Sequence, residues 1–139
     1  LNNKGINHPM YSGKRKIFDS FCWHYDEAEV LPQNTDVLAK NEKSKIQSIS
    51  FKNKNSLVWA VQYHPEFNSS WMSGLMSQRE NILLNEGVFN SREEFNFIKN
   101  LLDNNKINKK KENNINISDH LLNEKIHSLE LLNWLNFLS

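Results

Sequence analysis

Apolar and polar positions change rhythm twice along this chain. Thr35 to Ala39 (T-D-V-L-A) and Ile46 to Phe51 (I-Q-S-I-S-F) are short segments with strand character. The second alternates apolar with polar residues, the pattern of a strand with one wet face. The K-N-K-N stretch at 52–55 is a turn signal. Leu57 to Tyr63 is then apolar on both parities except for Gln62, which predicts a central strand buried on both faces. After Glu66 the period lengthens. Trp71, Leu75 and Ile82 fall along one helical stripe with Met72, Met76 and Leu83 beside them, and Gly87 supplies a stop. Ser91-Arg92-Glu93-Glu94 has capping-box spacing and opens a second helix carrying Phe95, Ile98, Leu101 and Leu102. A polar loop covers 103–117. Ser118 caps a last helix with Leu122, Ile126, Leu129 and Leu132 on one face, leaving His120 and His127 toward solvent.

Strands first and helices afterwards, with one strand wholly apolar, predict an α/β layered domain. The strands are few, so part of a sheet is expected. No internal repeat is visible. A length of 139 residues suits one domain, and a net charge of +1 gives no field that would favour nucleic acid or an anionic membrane. No apolar run approaches the roughly 20 residues needed to span a bilayer. The single cysteine, Cys22, excludes an internal disulfide framework and fits a reducing, cytoplasmic compartment. No motif calls for a cofactor.

The chemistry concentrates where the apolar strand runs into V-Q-Y-H-P-E, residues 61–66. Pro65 bars His64 from helical angles, so the chain stays extended there. Residues two apart in extended chain point the same way. His64 and Glu66 therefore leave the sheet together, at the carboxyl end of a strand, where open α/β sheets place their sites. A carboxylate that close fixes the imidazole tautomer and leaves the other nitrogen free as a base. The plainer alternative is a packed histidine with Glu66 capping the helix that follows. A rival reading takes His24, Asp26 and His64 as the facial triad of a non-haem iron enzyme, though that fold needs a closed double sheet and helices follow His64.

Beyond the tripeptide, V-Q-Y-H-P-E-F resembles the C-terminal signature of class I glutamine amidotransferases. Upstream, F-D-S-F-C-W-H-Y-D-E-A-E-V-L-P is similar to that family's sHxDxVxxLP segment, and N-E-K-S-K-I-Q-S-I to its Asn-x-x-Ser-x-x-Gln-Ala stretch. W-M-S-G-L-M and L-L-N-W-L resemble the GMP synthase-like branch. The resemblance runs collinearly over nearly the whole chain. It implies a three-layer αβα, flavodoxin-like amidotransferase domain with 1–102 as its C-terminal part and 118–139 as its last helix. It also implies glutamine as substrate, and a synthetase domain or subunit that receives the ammonia. His64 and Glu66 would be the second and third members of a Cys-His-Glu triad, and Trp23, His24 and Tyr25 would line the glutamine pocket.

The resemblance fails at the nucleophile. The family holds its cysteine in a G-x-C-x-G turn, where glycines accommodate strain and close approach of the backbone. Cys22 lies in S-F-C-W-H-Y, without glycine and between bulky aromatics, a setting that predicts a buried, protonated, inert thiol. The expectation is the C-terminal portion of a domain about 100 residues longer, inactive alone. The alternative is a catalytically silent, amidotransferase-like interaction subunit.

Overall fold

The computed structural model describes residues 1–104 and 118–139. Most of the polar segment expected at 103–117 thus lies outside the described residues, and residues 103 and 104 close a helix. Three strands, β1 (Asp36–Ala39), β2 (Ser48–Asn53) and β3 (Ser56–Val61), form an antiparallel sheet in the order β1-β2-β3. The hairpin from β2 to β3 turns at Lys54, which takes a positive φ of 52°. Helix α1 (Asn3–Ile6) and a 3-10 turn at Pro9–Tyr11 precede the sheet. Helices α2 (Ser69–Gln78), α3 (Glu80–Asn85), α4 (Arg92–Asn104), α5 (Asp119–Leu122), α6 (Glu124–His127) and α7 (Leu129–Leu138) follow it.

The antiparallel arrangement corrects the expectation of a central strand. β3 is an edge, paired only with β2 among the described residues. None of its residues is fully buried, and Leu57 is exposed. β2 inverts its expected polarity. Its buried positions are Ser48 and Ser50, whereas Ile49 and Phe51 are only half-buried. The register explains this. Ser48 pairs with Val61 and Ser50 with Trp59, so these four share the face covered by the N-terminal segment and α7. Trp59 there meets His8 and Phe137, with ring centroids 5.0 and 4.9 Å away. Small serines leave room beneath those rings.

β1 is covered on its outer side by the N-terminus of the chain. Asn2 donates its backbone N–H to Leu38 and its side-chain amide to Val37. Gly5 packs so closely there that a Cβ would sit 2.2 Å from the Leu38 carbonyl oxygen, which excludes any larger residue.

The apolar interior falls into two clusters. One gathers Met10, Tyr11, Leu38, Ala39 and Tyr63 under the sheet. The other gathers Phe21, Met72, Met76, Leu83, Phe95, Leu102 and Leu121 among the helices. The α2 stripe is therefore the methionine side. Trp71, placed by periodicity on the leading stripe, is 63% exposed, and Ile82 is exposed as well. A break at Arg79, with φ −115° and ψ 13°, rotates α3 against α2 and ends the shared stripe. Gly87 at φ 70° follows α3 as expected. Ser91 accepts from the Glu94 N–H, and Glu94 reaches back to the Asn90 N–H, one residue beyond the usual capping-box partner.

The last helix is three short helices. Asn123 and Ser128 interrupt it, and the Asn123 side chain accepts from the Lys125 N–H to start α6. Its buried positions are Leu121, His127 and Glu130, in place of the predicted stripe through Leu122, Ile126, Leu129 and Leu132. His127 is thus buried rather than solvent-facing, edge-on to Phe21.

A buried polar chain joins these parts. Ser48 and Tyr11 hydroxyls lie 2.6 Å apart, those of Tyr11 and Tyr63 2.8 Å apart, and Tyr63 donates to Glu130 Oε1 at 2.7 Å. Lys14 Nζ meets Glu130 Oε2 at 2.8 Å, with the two side chains only 2% and 3% exposed. Removing one partner of such a pair costs about 3–5 kcal/mol, because the other charge stays buried alone. Burial pushes Tyr11 up to about 12, and Tyr63 is driven up by burial and by Tyr11 and Glu130 nearby. Lys14 is lowered by burial, partly offset by Glu130.

Both tyrosines keep their protons in the fold where the unfolded chain loses them, near the ordinary value of 10.0. Folding stability therefore falls as pH rises above that value. Lys14 acts in the opposite sense only below its ordinary 10.5. Denaturant unfolding of the 139-residue chain should show a steep stability loss between about pH 10.5 and 12, reduced in Tyr63→Phe. A flat profile there would mean that the tyrosines are not held as described.

Candidate active site

β3 carries its alternation past the last rung of the ladder, where the Gln62 N–H donates to the Gln47 carbonyl at 2.9 Å. Trp59, Val61 and Tyr63 share the inward parity, and Gln62 and His64 take the other. The His64 N–H then donates to the Phe21 carbonyl at 2.7 Å, at the seam between the two core clusters. Pro65 is fully buried and holds the bend. Beyond it, the His64 ring and Glu66 meet: Nδ1 lies 2.6 Å from Glu66 Oε1. An ionised carboxylate only accepts, so Nδ1 carries the proton and Nε2 presents its lone pair. The imidazole also stacks on Phe67, with centroids 4.1 Å apart and planes within 8°. Nothing among the described residues hydrogen-bonds Nε2, and the ring is 28% exposed. A base held on three sides with one nitrogen open can pass a proton to or from a bound reactant.

The capping alternative for Glu66 does not hold. Helix α2 is capped by Asn68, whose side chain accepts from the Trp71 N–H at 2.8 Å. That frees Glu66 for His64. The iron reading needs His24, Asp26 and His64 to converge, and they do not. Among the described residues no group of three or more His, Cys, Asp or Glu side chains could hold a metal ion.

Trp23, His24 and Tyr25 line a cleft of about 270 Å³ together with Cys22, Met72 and Met76. His64 and Glu66 are not among its lining residues. Tyr25 is exposed and donates to Glu86 Oε2 at 2.9 Å; that bond, above all, raises its phenol. The loop is tied back toward the site by Gln62, whose side-chain amide donates to the Asp26 carbonyl at 2.6 Å. Cys22 also borders a second cleft, of about 460 Å³, with Ser20, Asn41, Gln47 and Tyr63. Contrary to expectation its side chain is exposed, yet the surrounding protein pushes the thiol up from its ordinary value. No hydrogen bond links it to His64. An exposed thiol held protonated, without a base, is a poor nucleophile.

Phe67 and Asn68 were not singled out by sequence reasoning. Both follow H-P-E directly, and an Asn before a helical period is a cap signal that could have released Glu66 from that role. The Asn-x-x-Ser-x-x-Gln stretch also acquires a local explanation. Asn41 Oδ1 accepts from the Lys43 and Ser44 N–H groups, and Ser44 Oγ bonds the Ile46 carbonyl, so a tight turn delivers Gln47 buried at the start of β2.

The family model described as Glutamine amidotransferase class-I matches residues 2–82, more than half the chain. The chain belongs to the class I glutamine amidotransferases. Over 89 residues it is 34% identical to the Gamma-glutamyl-L-1-hydroxyisopropylamide hydrolase of a Pseudomonas species, covering 64% of this chain and 30% of that one. Over 58 residues it is 38% identical to the glutamine-hydrolyzing GMP synthase of Thermosipho melanesiensis, covering 42% and 11%. Over 57 residues it is 35% identical to one subunit of the glutamine-hydrolyzing GMP synthase of Methanococcus maripaludis, covering 41% and 29%. This amidotransferase chain thus spans less than a third of the length of each. No solved structure matches it. No helix of the described residues is long and apolar enough to cross a membrane.

Neutral His64 should hold its proton on Nδ1, read from the ring ¹⁵N shifts of the amidotransferase chain. Glu66→Ala should redistribute that proton toward Nε2. A ring pattern that is the same with and without the carboxylate would show that the pair does not form in solution.

Proposed function

We propose that this chain supplies the base and its orienting acid to a glutamine-hydrolysing site in the C-terminal part of a three-layer αβα domain. The single observation that carries the reading is the His64–Glu66 pair, 2.6 Å apart with Nε2 open, in a chain of the amidotransferase family. The nucleophile is a cysteine thiolate outside these 139 residues, because Cys22 has neither the strained glycine turn nor a base. His64 Nε2 takes the thiol proton, and the thiolate attacks the side-chain carbonyl carbon of glutamine. The imidazolium gives that proton to the departing nitrogen as the C–N bond breaks, releasing ammonia and leaving a γ-glutamyl thioester. Water then attacks the thioester; His64 takes the water's proton and returns it to the leaving sulfur, yielding glutamate. Glu66 holds the ring in the tautomer these transfers need, and Trp23, His24 and Tyr25 form part of the substrate side.

Two GMP synthase relatives, one of them a separate subunit, support passage of the ammonia to a synthetase domain or subunit. The Pseudomonas relative, with the longest of the three matches, supports a second reading in which the amide nitrogen carries an alkyl group and an amine leaves. The same residues would perform that reaction.

Alone, the chain should release no ammonia from glutamine. Mixed with a separately made polypeptide carrying a G-x-C-x-G segment of the family, it should do so. His64→Ala should then lower turnover by about 10²–10⁴-fold. Near-normal turnover would remove His64 from the mechanism. Glu66→Gln should reduce kcat more than it raises KM. Replacing glutamine by γ-glutamyl alkylamides separates the two readings: faster release of alkylamine than of ammonia favours the second.

A further inference from the structure

We propose that Glu130, acting through Tyr63, is a positioning residue for His64. The inference rests on His64 being the base of the reaction above, and it concerns how that base is held in place. Tyr63 lies between two fixed backbone points, the Gln62 rung to Gln47 and the His64 bond to the Phe21 carbonyl. Its own backbone groups make no backbone–backbone hydrogen bond among the described residues. Its side chain does the holding instead. The ring is buried edge-on to Phe18 at 5.7 Å, and the hydroxyl donates to Glu130 Oε1 at 2.7 Å. Glu130 cannot turn away, because Lys14 binds its other oxygen at 2.8 Å and also donates to the His127 carbonyl at 2.7 Å.

Three short oxygen–oxygen contacts join Ser48, Tyr11, Tyr63 and Glu130. Tyr11 donates to Ser48, and an ionised carboxylate only accepts, so the Tyr63 hydroxyl donates to Glu130. Tyr63 thus spends its one proton on Glu130. Replacing that acceptor, or the phenol itself, unpins the residue next to His64. Because successive residues point to opposite faces, a roll of Tyr63 tilts the imidazole the other way and lengthens the short contact to Glu66. A misplacement of about 1 Å at a reacting group can cost on the order of 10²-fold in rate.

The test uses the full 139-residue chain and reads the His64 ring directly, so its result stands apart from whether glutamine is the substrate. Tyr63→Phe and Glu130→Gln should lose or broaden the downfield Nδ1–H resonance while the far-UV circular dichroism is kept. Leu102→Ala, in the other core cluster, should lower the thermal midpoint and leave that resonance in place. A resonance unchanged in Tyr63→Phe overturns the proposal, as does its equal loss in Leu102→Ala or its absence from the parent chain. If Glu130→Gln unfolds, Tyr63→Phe decides alone. If both unfold, the network is a folding device and the proposal falls.

Discussion

The fold turns on one carboxylate placed where carboxylates are seldom found. Glu130 sits inside the protein, satisfied by Lys14 on one oxygen and Tyr63 on the other. Through these and through Tyr11 and Ser48 it joins the N-terminal segment, β2, the end of β3 and α7. None of those pieces is long. β2 has six residues and α7 ten, and the N-terminal segment holds a four-residue α1 and a three-residue 3-10 turn. Elements this short do not hold by propensity and must be held by tertiary contacts. An apolar core could supply the same free energy, since a buried ion pair is often no better than well-packed hydrocarbon of equal volume. What the polar chain adds is geometry, because each hydroxyl accepts partners only at fixed distances and angles.

The candidate site was the most legible part of the sequence because its geometry is local. Proline restricts His64, alternation places Glu66 on the same side, and both constraints act within three residues. The fold was less legible wherever burial depends on partners distant in sequence. Ser48 and Ser50 read as a wet face, and nothing near them announces that Tyr11, some 37 residues earlier, places its hydroxyl there. Glu130 in L-E-L-L looks like a solvent position until Lys14, 116 residues away, is known to reach it. The stripe through Trp71 and Ile82 failed for a different reason. A helical period was extended across Arg79, where the backbone leaves helical angles, and every phase after that point shifted.

Edge status changes how β3 must be understood. A strand buried on both faces would hold His64 by the ladder alone, with neighbours on each side. β3 has one neighbour among the described residues, and its ladder to β2 ends at Gln62. Past that rung the chain depends on contacts from outside the sheet: the Phe21 carbonyl on the His64 N–H, Phe67 under the ring, and the phenol of Tyr63 below. Deleting one leaves two, which is why the ring itself, rather than global stability, is where the loss would be felt.

The same arrangement separates what must be rigid from what must be open. Among the described residues, every strong contact to the H-P-E segment reaches its backbone, its Nδ1 or its flat face, and none reaches Nε2. A base needs this asymmetry: a fixed ring with one lone pair turned toward the reactant. Cys22 has the reverse properties. It follows Phe21, whose carbonyl anchors His64, yet it makes no hydrogen bond to the ring, and its surroundings favour the neutral thiol. Proximity along the chain is therefore not activation. In the mechanism proposed, the thiolate that uses His64 approaches Nε2 from the side that the described residues leave uncovered.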